Sequence, residues 1–175
     1  MLKNNNIELR ALEPSDVDLL YDWENNHELW HLSNTIAPFS RFVLEQYVIN
    51  SHQDIYSSRQ LRLMIDRREG NKPETIGAID LFDFDPVNKR AGIGIMVIGG
   101  ERKKGYASEA LTLLIEYCFN TLNLHQVYCN IDVLNLASYN LFIKHNFKVV
   151  GIKKDWLYTG KKWIDEYLLQ LVHSE

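Results

Sequence analysis

Arg102, Lys103 and Lys104 stand directly before Gly105 in the stretch 99–107, GGERKKGYA. Three cations ahead of a glycine suit an anion. The first N–H groups of a helix lack a partner within the helix and carry partial positive charge, so a basic turn there can hold a pyrophosphate. Gly105 lets the backbone approach such a ligand with no Cβ in the way, and Tyr106 and Ala107 would follow as the first helical residues. Two familiar phosphate loops fail on these residues. Gly100 and Gly105 have the spacing of P-loop glycines, but Tyr106 and Ala107 take the places of its Lys and Ser/Thr, which disfavours magnesium-dependent nucleotide chemistry. Gly92 and Gly94 lack the third glycine of a dinucleotide fingerprint and lie within a predicted strand. A solvated basic turn that caps a helix is the other reading of residues 102–107.

The elements that would position this cradle flank it. Residues 91–98 (AGIGIMVI) read as a short apolar strand, while Ala107, Ala110, Leu111, Leu114, Ile115, Cys118, Phe119 and Leu122 recur at helical spacing. Both phases of that strand are apolar, except that Gly92 and Gly94 strip side chains from one face. That suits a central strand approached closely by a ligand or another backbone, or a bulge. Upstream, 7–12 is a strand ended by Pro14. Ser15 and Asp18 resemble a capping box for a helix to about Asn25, and Ser40 caps a second helix over 41–49. Glu24 and Glu28, with other acids and Tyr21, Trp23, Trp30 and Phe39, make this region acidic and aromatic. It reads as the lining of a cationic acceptor site, or as a solvated helix face over core aromatics. Residues 61–66, 75–82 and 91–98 form an antiparallel meander. Beyond the cradle helix come a strand over 126–133, parallel to 91–98, a helix over 135–147, and strands over 148–153 and 164–172. The order β-α-α-β-β-β-α-β-α-β-β makes an α/β (α+β) fold, a mixed sheet with helices on both faces, within one domain spanning 1–175.

Composition narrows the partners. The chain has 175 residues, 46% hydrophobic and 24% charged, and a net charge of −4, which gives no reason to expect nucleic acid. No apolar run approaches membrane-spanning length and residues 1–10 lack a signal-peptide core, so a cytoplasmic protein is expected. Cys118 and Cys129 lack metal-ligand spacing and fall at apolar positions, as expected of buried, reduced thiols. His125 and His145 have no metal spacing either, so no metal is expected. A homo-oligomer stays open.

Arg102 to Ala107, R-x-x-G-x-A, resembles the pyrophosphate loop of the GNAT superfamily of acyl-CoA-dependent N-acetyltransferases, usually Q/R-x-x-G-x-G/A. Asn135 and Ser138, then Lys144 and Phe147, are similar to its N-x-x-S…K-x-G-F signature, with Asn146 where glycine is usual. The element order matches over nearly the whole chain, and the subgroup looks like the polyamine and ribosomal-protein N-terminal acetyltransferases. The resemblance implies a mainly antiparallel sheet whose fourth and fifth strands splay apart. Backbone groups of Met96, Val97 and Ile98 would there hold acetyl-CoA, with Arg102, Lys103, Lys104, Gly105, Tyr106 and Ala107 at the pyrophosphate and Asn135 on the pantetheine amides. An N–H near Met96 or Val97 would polarise the thioester for direct attack by a primary amine in a ternary complex. Many relatives have a Tyr donor at the position of Phe142 and a Glu at that of Gly92, and neither residue present can transfer a proton. Ser138 or Tyr139 would replace the acid, with helix packing as the other role of Tyr139. Asp80 or Asp83 would replace the base. Asp80 shares a phase with Ala78 in an apolar strand, where an unpaired carboxylate is costly, so it reads as functional or as a charge at the sheet rim. Glu24, Glu28 and Asp83 would favour a polyamine or other small cationic amine, a protein N terminus being the alternative acceptor. The departures at Phe142 and Gly92 also leave open a non-catalytic acyl-CoA-binding module.

Overall fold

The computed structural model describes residues 2–27, 30, 35–69 and 72–173. Among them the order is β1 (Ile7–Ala11), a 3₁₀ turn (Pro14–Asp16), α1 (Val17–Glu24), α2 (Arg41–Asn50), α3 (Ile55–Ser58), β2 (Leu61–Arg67), β3 (Glu74–Asp85) and β4 (Arg90–Val97). A second 3₁₀ turn (Gly99–Glu101) leads into α4 (Tyr106–Asn120), β5 (Gln126–Asp132), α5 (Leu136–Lys144), β6 (Lys148–Tyr158) and β7 (Trp163–Val172). The expected succession of strands and helices is present, with one addition. The one-turn α3 lacks a hydrophobic period and is built by its cap, Asp54, which accepts from the N–H groups of Tyr56 and Ser57 at 2.9 and 3.1 Å.

The strands form one sheet, β1-β2-β3-β4-β5-β7-β6, in which every neighbouring pair is antiparallel except β4 and β5. Helices cover both faces. On one, Ile65, Ile79, Leu81, Ile93 and Val127 pack with Leu111, Leu114 and Cys118 of α4 and with Phe142 and Phe147. On the other, Met64 and Ala78 meet Leu20 of α1 and Leu44 and Val48 of α2. The apolar stripe of each helix thus meets one phase of the alternating strands, which is what buries it. Cys118 and Cys129 are both free and buried, and burial pushes the Cys118 thiol up to about 12.

The first helix starts differently from the Ser15–Asp18 expectation. Asp16 accepts from the Glu13 N–H at 2.8 Å and takes two bonds from Arg10, at 2.7 and 2.8 Å. Arg10 also donates to Asp66 at 2.7 Å and to Thr75 at 2.9 Å, tying β1, β2, β3 and the 3₁₀ turn into one buried polar network. Ser40 does cap α2, accepting from the Val43 N–H at 3.2 Å.

Candidate active site

β4 and β5 are paired only at their beginnings, Arg90 with Gln126, Ala91 with Val127 and Gly92 with Tyr128. Beyond Gly92 the two strands part. The expected splay is therefore present, and its backbone phase follows from one bond. Ile98 N–H donates to the Ile76 carbonyl at 2.9 Å, and alternation along the antiparallel β3–β4 ladder then turns the amides of Met96 and Gly94 toward β3 as well. Ile93, Ile95 and Val97 face the gap. This corrects two expectations. The Ile98 backbone is engaged on both sides, since its carbonyl accepts from Glu101 N–H at 3.0 Å, and the Met96 backbone belongs to the β3 ladder. The side chain of Met96 lies on the α1–α2 face, opposite Ala78. Val97 keeps the expected direction, although its carbonyl accepts from Arg102 Nε at 2.9 Å. Ile95 was missed, because both phases of β4 are apolar and side-chain alternation alone cannot say which amides are free.

The cradle forms at the open end of the gap. Gly105 has φ +97°, a conformation that strains any residue with a Cβ, and Lys103 has φ +64°. Among the described residues no side chain caps α4, so its first amides are left to another partner. Arg102 folds back onto β4. Lys104 pairs with Glu101 at 3.1 Å, and Glu101 is also held by Arg67 at 3.3 Å, so one of the three cradle cations is already partly neutralised. The Tyr106 side chain leaves the cradle altogether. It is buried in the core, with its hydroxyl 3.4 Å from Glu69, so only its backbone remains at the helix terminus. At the far side, Asn135 caps α5 by accepting from Ser138 N–H at 3.1 Å, which leaves the donor end of its amide for a ligand carbonyl.

On the α1–α2 face lie the acidic residues. Asp80 is not an unpaired carboxylate: Arg62 forks onto it, Nε to Oδ1 at 2.8 Å and Nη2 to Oδ2 at 2.9 Å. The same guanidinium donates to Glu24 at 2.6 Å and sits over the Tyr47 ring, 5.7 Å from its centroid. Burial opposes the charge on Arg62, but Asp80 and Glu24 outweigh it and hold it protonated. The argument for Asp80 from an uncompensated charge therefore falls. Arg62 and Tyr47 were not singled out from the sequence, because the register that sets Arg62 opposite Asp80 is hidden by the long β2–β3 connection. Asp83 lies apart from this group, at φ +50° beside the β3 bulge, where its Oδ2 accepts from the Tyr128 hydroxyl at 3.3 Å. Burial, then Asp83, raises the Tyr128 phenol and keeps it protonated. Glu28 lies outside the described residues.

Between these groups the sheet surface is Phe82 and the two glycines of β4. The Phe82 ring lies on Gly92, where a Cβ would come within 2.2 Å of it, so a glutamate at this position would require that ring to move. At Gly94, opposite Asp80, a Cβ would meet only a Phe82 ring carbon, at 4.0 Å. Gly94 is therefore an open floor beside Asp80. Tyr139 and Ser138 project from α5, the Tyr139 ring 5.4 Å from that of Tyr167 and half-buried against the α4 core. Phe142 is fully packed, edge to face with Phe147 at 4.9 Å. Among the described residues no three His, Cys, Asp or Glu cluster in a way that could hold a metal ion.

A splayed parallel pair in an otherwise antiparallel sheet, followed by an uncapped helix behind a basic turn, sets an open strand edge beside an anion cradle, as an extended ligand with a phosphate end requires. The acetyltransferase (GNAT) domain family matches residues 6–148, and the chain belongs to it as an N-acetyltransferase. An uncharacterized N-acetyltransferase of Bacillus licheniformis is 29% identical over 99% of this chain and 97% of its own. The spermidine N(1)-acetyltransferase of Vibrio cholerae is 22% identical over 98% of this chain and 96% of its own. A crystal structure of the Vibrio cholerae spermidine N-acetyltransferase, in complex with CoA and spermine, superposes with a TM-score of 0.84 at 21% identity, covering 97% of this chain and 96% of that one. At that identity the superposition bears on the fold alone.

Proposed function

We propose that this enzyme takes its acetyl group from acetyl-CoA and passes it by direct attack to a small cationic amine, a polyamine before a protein N terminus. The observation that carries the donor is the uncapped first turn of α4 behind Gly105, with Arg102, Lys103 and Lys104 around it. Those amides and cations would hold the pyrophosphate. The pantetheine arm would then run into the gap as a strand-like partner of Ile95 and Val97, with the Asn135 amide donating to one of its carbonyls. In this pose the Ile95 or Val97 N–H polarises the thioester, a preorganised donor worth ~2.7–4 kcal/mol in the transition state. Tyr139 or Ser138 protonates the departing thiolate.

The acceptor would lie over Gly94, with Asp80 and Glu24 on one side and Asp83 with Tyr128 on the other. Asp80 orients the ammonium through the lone pairs that Arg62 leaves, and water carries away the amine proton. The spermidine acetyltransferases among the relatives support a polyamine. One sheet with a core on each face supports reading the chain as a single catalytic domain, and two free, buried thiols support a reducing compartment such as the cytoplasm. Among the described residues no helix is long and apolar enough to cross a membrane.

Salt separates the two acceptors. Surface charge pairing is screened over about 8 Å at physiological ionic strength, so KM for spermidine should rise with salt while KM for an N-terminal peptide moves less. Acetylation of peptides with no turnover of spermidine, spermine or shorter diamines would rule the polyamine out.

A further inference from the structure

Two of the three described acidic side chains proposed to meet the acceptor already share one cation. Arg62 spends Nε and Nη2 on Asp80 and Nη1 on Glu24, with bonds of 2.6–2.9 Å, and Tyr47 backs it from below. Two carboxylates against one guanidinium leave a single net negative charge at the edge of the Gly94 floor. Asp83, the third acid, sits on the opposite side of Phe82, paired with Tyr128.

We propose that Arg62 is a specificity-determining residue: by occupying Glu24 and Asp80 it limits how much positive charge the acceptor site accepts. The inference rests on the amine-acceptor reading above and adds to it which amines are favoured. The guanidinium takes the place that a second ammonium of a long polycation would otherwise fill between the two carboxylates. Acceptors with one cationic group near the reacting amine meet the net charge that remains, and more highly charged ones must displace a forked, desolvated pair or find their second partner across Phe82. A point charge on a flexible stem could supply the same charge without the fork, which makes lysine the informative conservative replacement.

The test measures kcat and KM for a monoamine, a diamine, spermidine and spermine with acetyl-CoA, in the wild type, Arg62→Gln, Arg62→Met, Arg62→Lys and the double variant Arg62→Gln with Asp80→Asn. Arg62→Gln should shift the spermine-to-monoamine ratio of kcat/KM by about tenfold toward spermine, mainly through KM, and steepen its salt dependence. Arg62→Lys should keep the wild-type ratio. The double variant restores one net negative charge and should bring the ratio back, while Arg62→Met, which removes the same charge and fills the space of the stem, should shift it as Arg62→Gln does and keeps the inference testable where Arg62→Gln folds poorly. A ratio that neither Arg62→Gln nor Arg62→Met moves, that the double variant fails to bring back, or that Arg62→Lys moves as far as Arg62→Gln, overturns the charge-limiting role and leaves the acetyltransferase reading standing. A folded wild type that acetylates none of these amines overturns both.

Discussion

Removing one oxygen each from Tyr139 and Ser138 tests the acid most simply, because neither hydroxyl has a bonding role in the described structure beyond packing and local geometry. A positioned acid contributes ~10²-fold or more, so we expect Tyr139→Phe to lower kcat by about that factor with Tm unchanged, and Ser138→Ala to do so if the serine is the donor. If both variants keep wild-type kcat, with chemistry shown to be rate-limiting, neither residue is the acid. Glu24→Gln should raise KM for spermidine with little effect on kcat, the mark of lost uniform binding. Residue identity was legible in the sequence only where a local pattern announced it. Arg102 and Gly105 stand just before a helix start, where a basic glycine turn is legible locally, while Asn135 is nominated by the resemblance of Asn135 and Ser138 to the N-x-x-S signature. Arg62 reads in the sequence as one of the polar residues of an alternating strand, and only the long-range register of β2 against β3 reveals that it holds Asp80.

At the scale of elements, the cradle is a helix terminus whose strength lies in open amides and nearby charge. Replacing Arg102 and Lys104 by alanine should reduce the rise in Tm that acetyl-CoA or CoA gives the wild type, while ATP and NAD at equal concentration shift neither protein much. An equal response of the wild type to ATP would remove the CoA assignment. Asn135→Ala should cost ~1 kcal/mol through the lost α5 cap, and weaken CoA as well. Helices and strands were legible because apolar residues recur at 3.6 or 2 along most of the chain. Three features escaped that logic. α3 is too short to show a period, β6 runs to Tyr158 through a bulged and exposed stretch, and β4 is apolar on both phases. The last cost the most, since nothing in the strand's pattern could bring Ile95 in beside the Met96, Val97 and Ile98 that the resemblance placed at the gap.

Across the whole molecule, Arg10 of β1 joins both strands of the β2–β3 hairpin to the turn that carries α1. Burial works to raise the Asp16 carboxyl, but the bonds from Arg10 and the Glu13 N–H outweigh it and hold it below its ordinary value. That contribution is therefore complete above about pH 4 and disappears as the pH falls through the depressed folded value. Arg10→Met leaves Asp16 and Asp66 buried without their cation and should destabilise the neutral-pH protein by about 3 kcal/mol, with a flatter acid limb in a plot of Tm against pH. An unchanged acid limb would remove the pair from the account of pH stability. In the proposed reading, the fold that this network braces holds a thioester in the β4–β5 gap beside an amine. The most direct measurement is release of free CoA thiol from acetyl-CoA across a panel of amines, matched to the mass of the acetylated product. We expect thiol release that depends on a cationic amine and equals the product formed. Binding of acetyl-CoA with no amine-dependent thiol release, for polyamines and N-terminal peptides alike, would contradict a catalytic site and leave only an acyl-CoA-binding module.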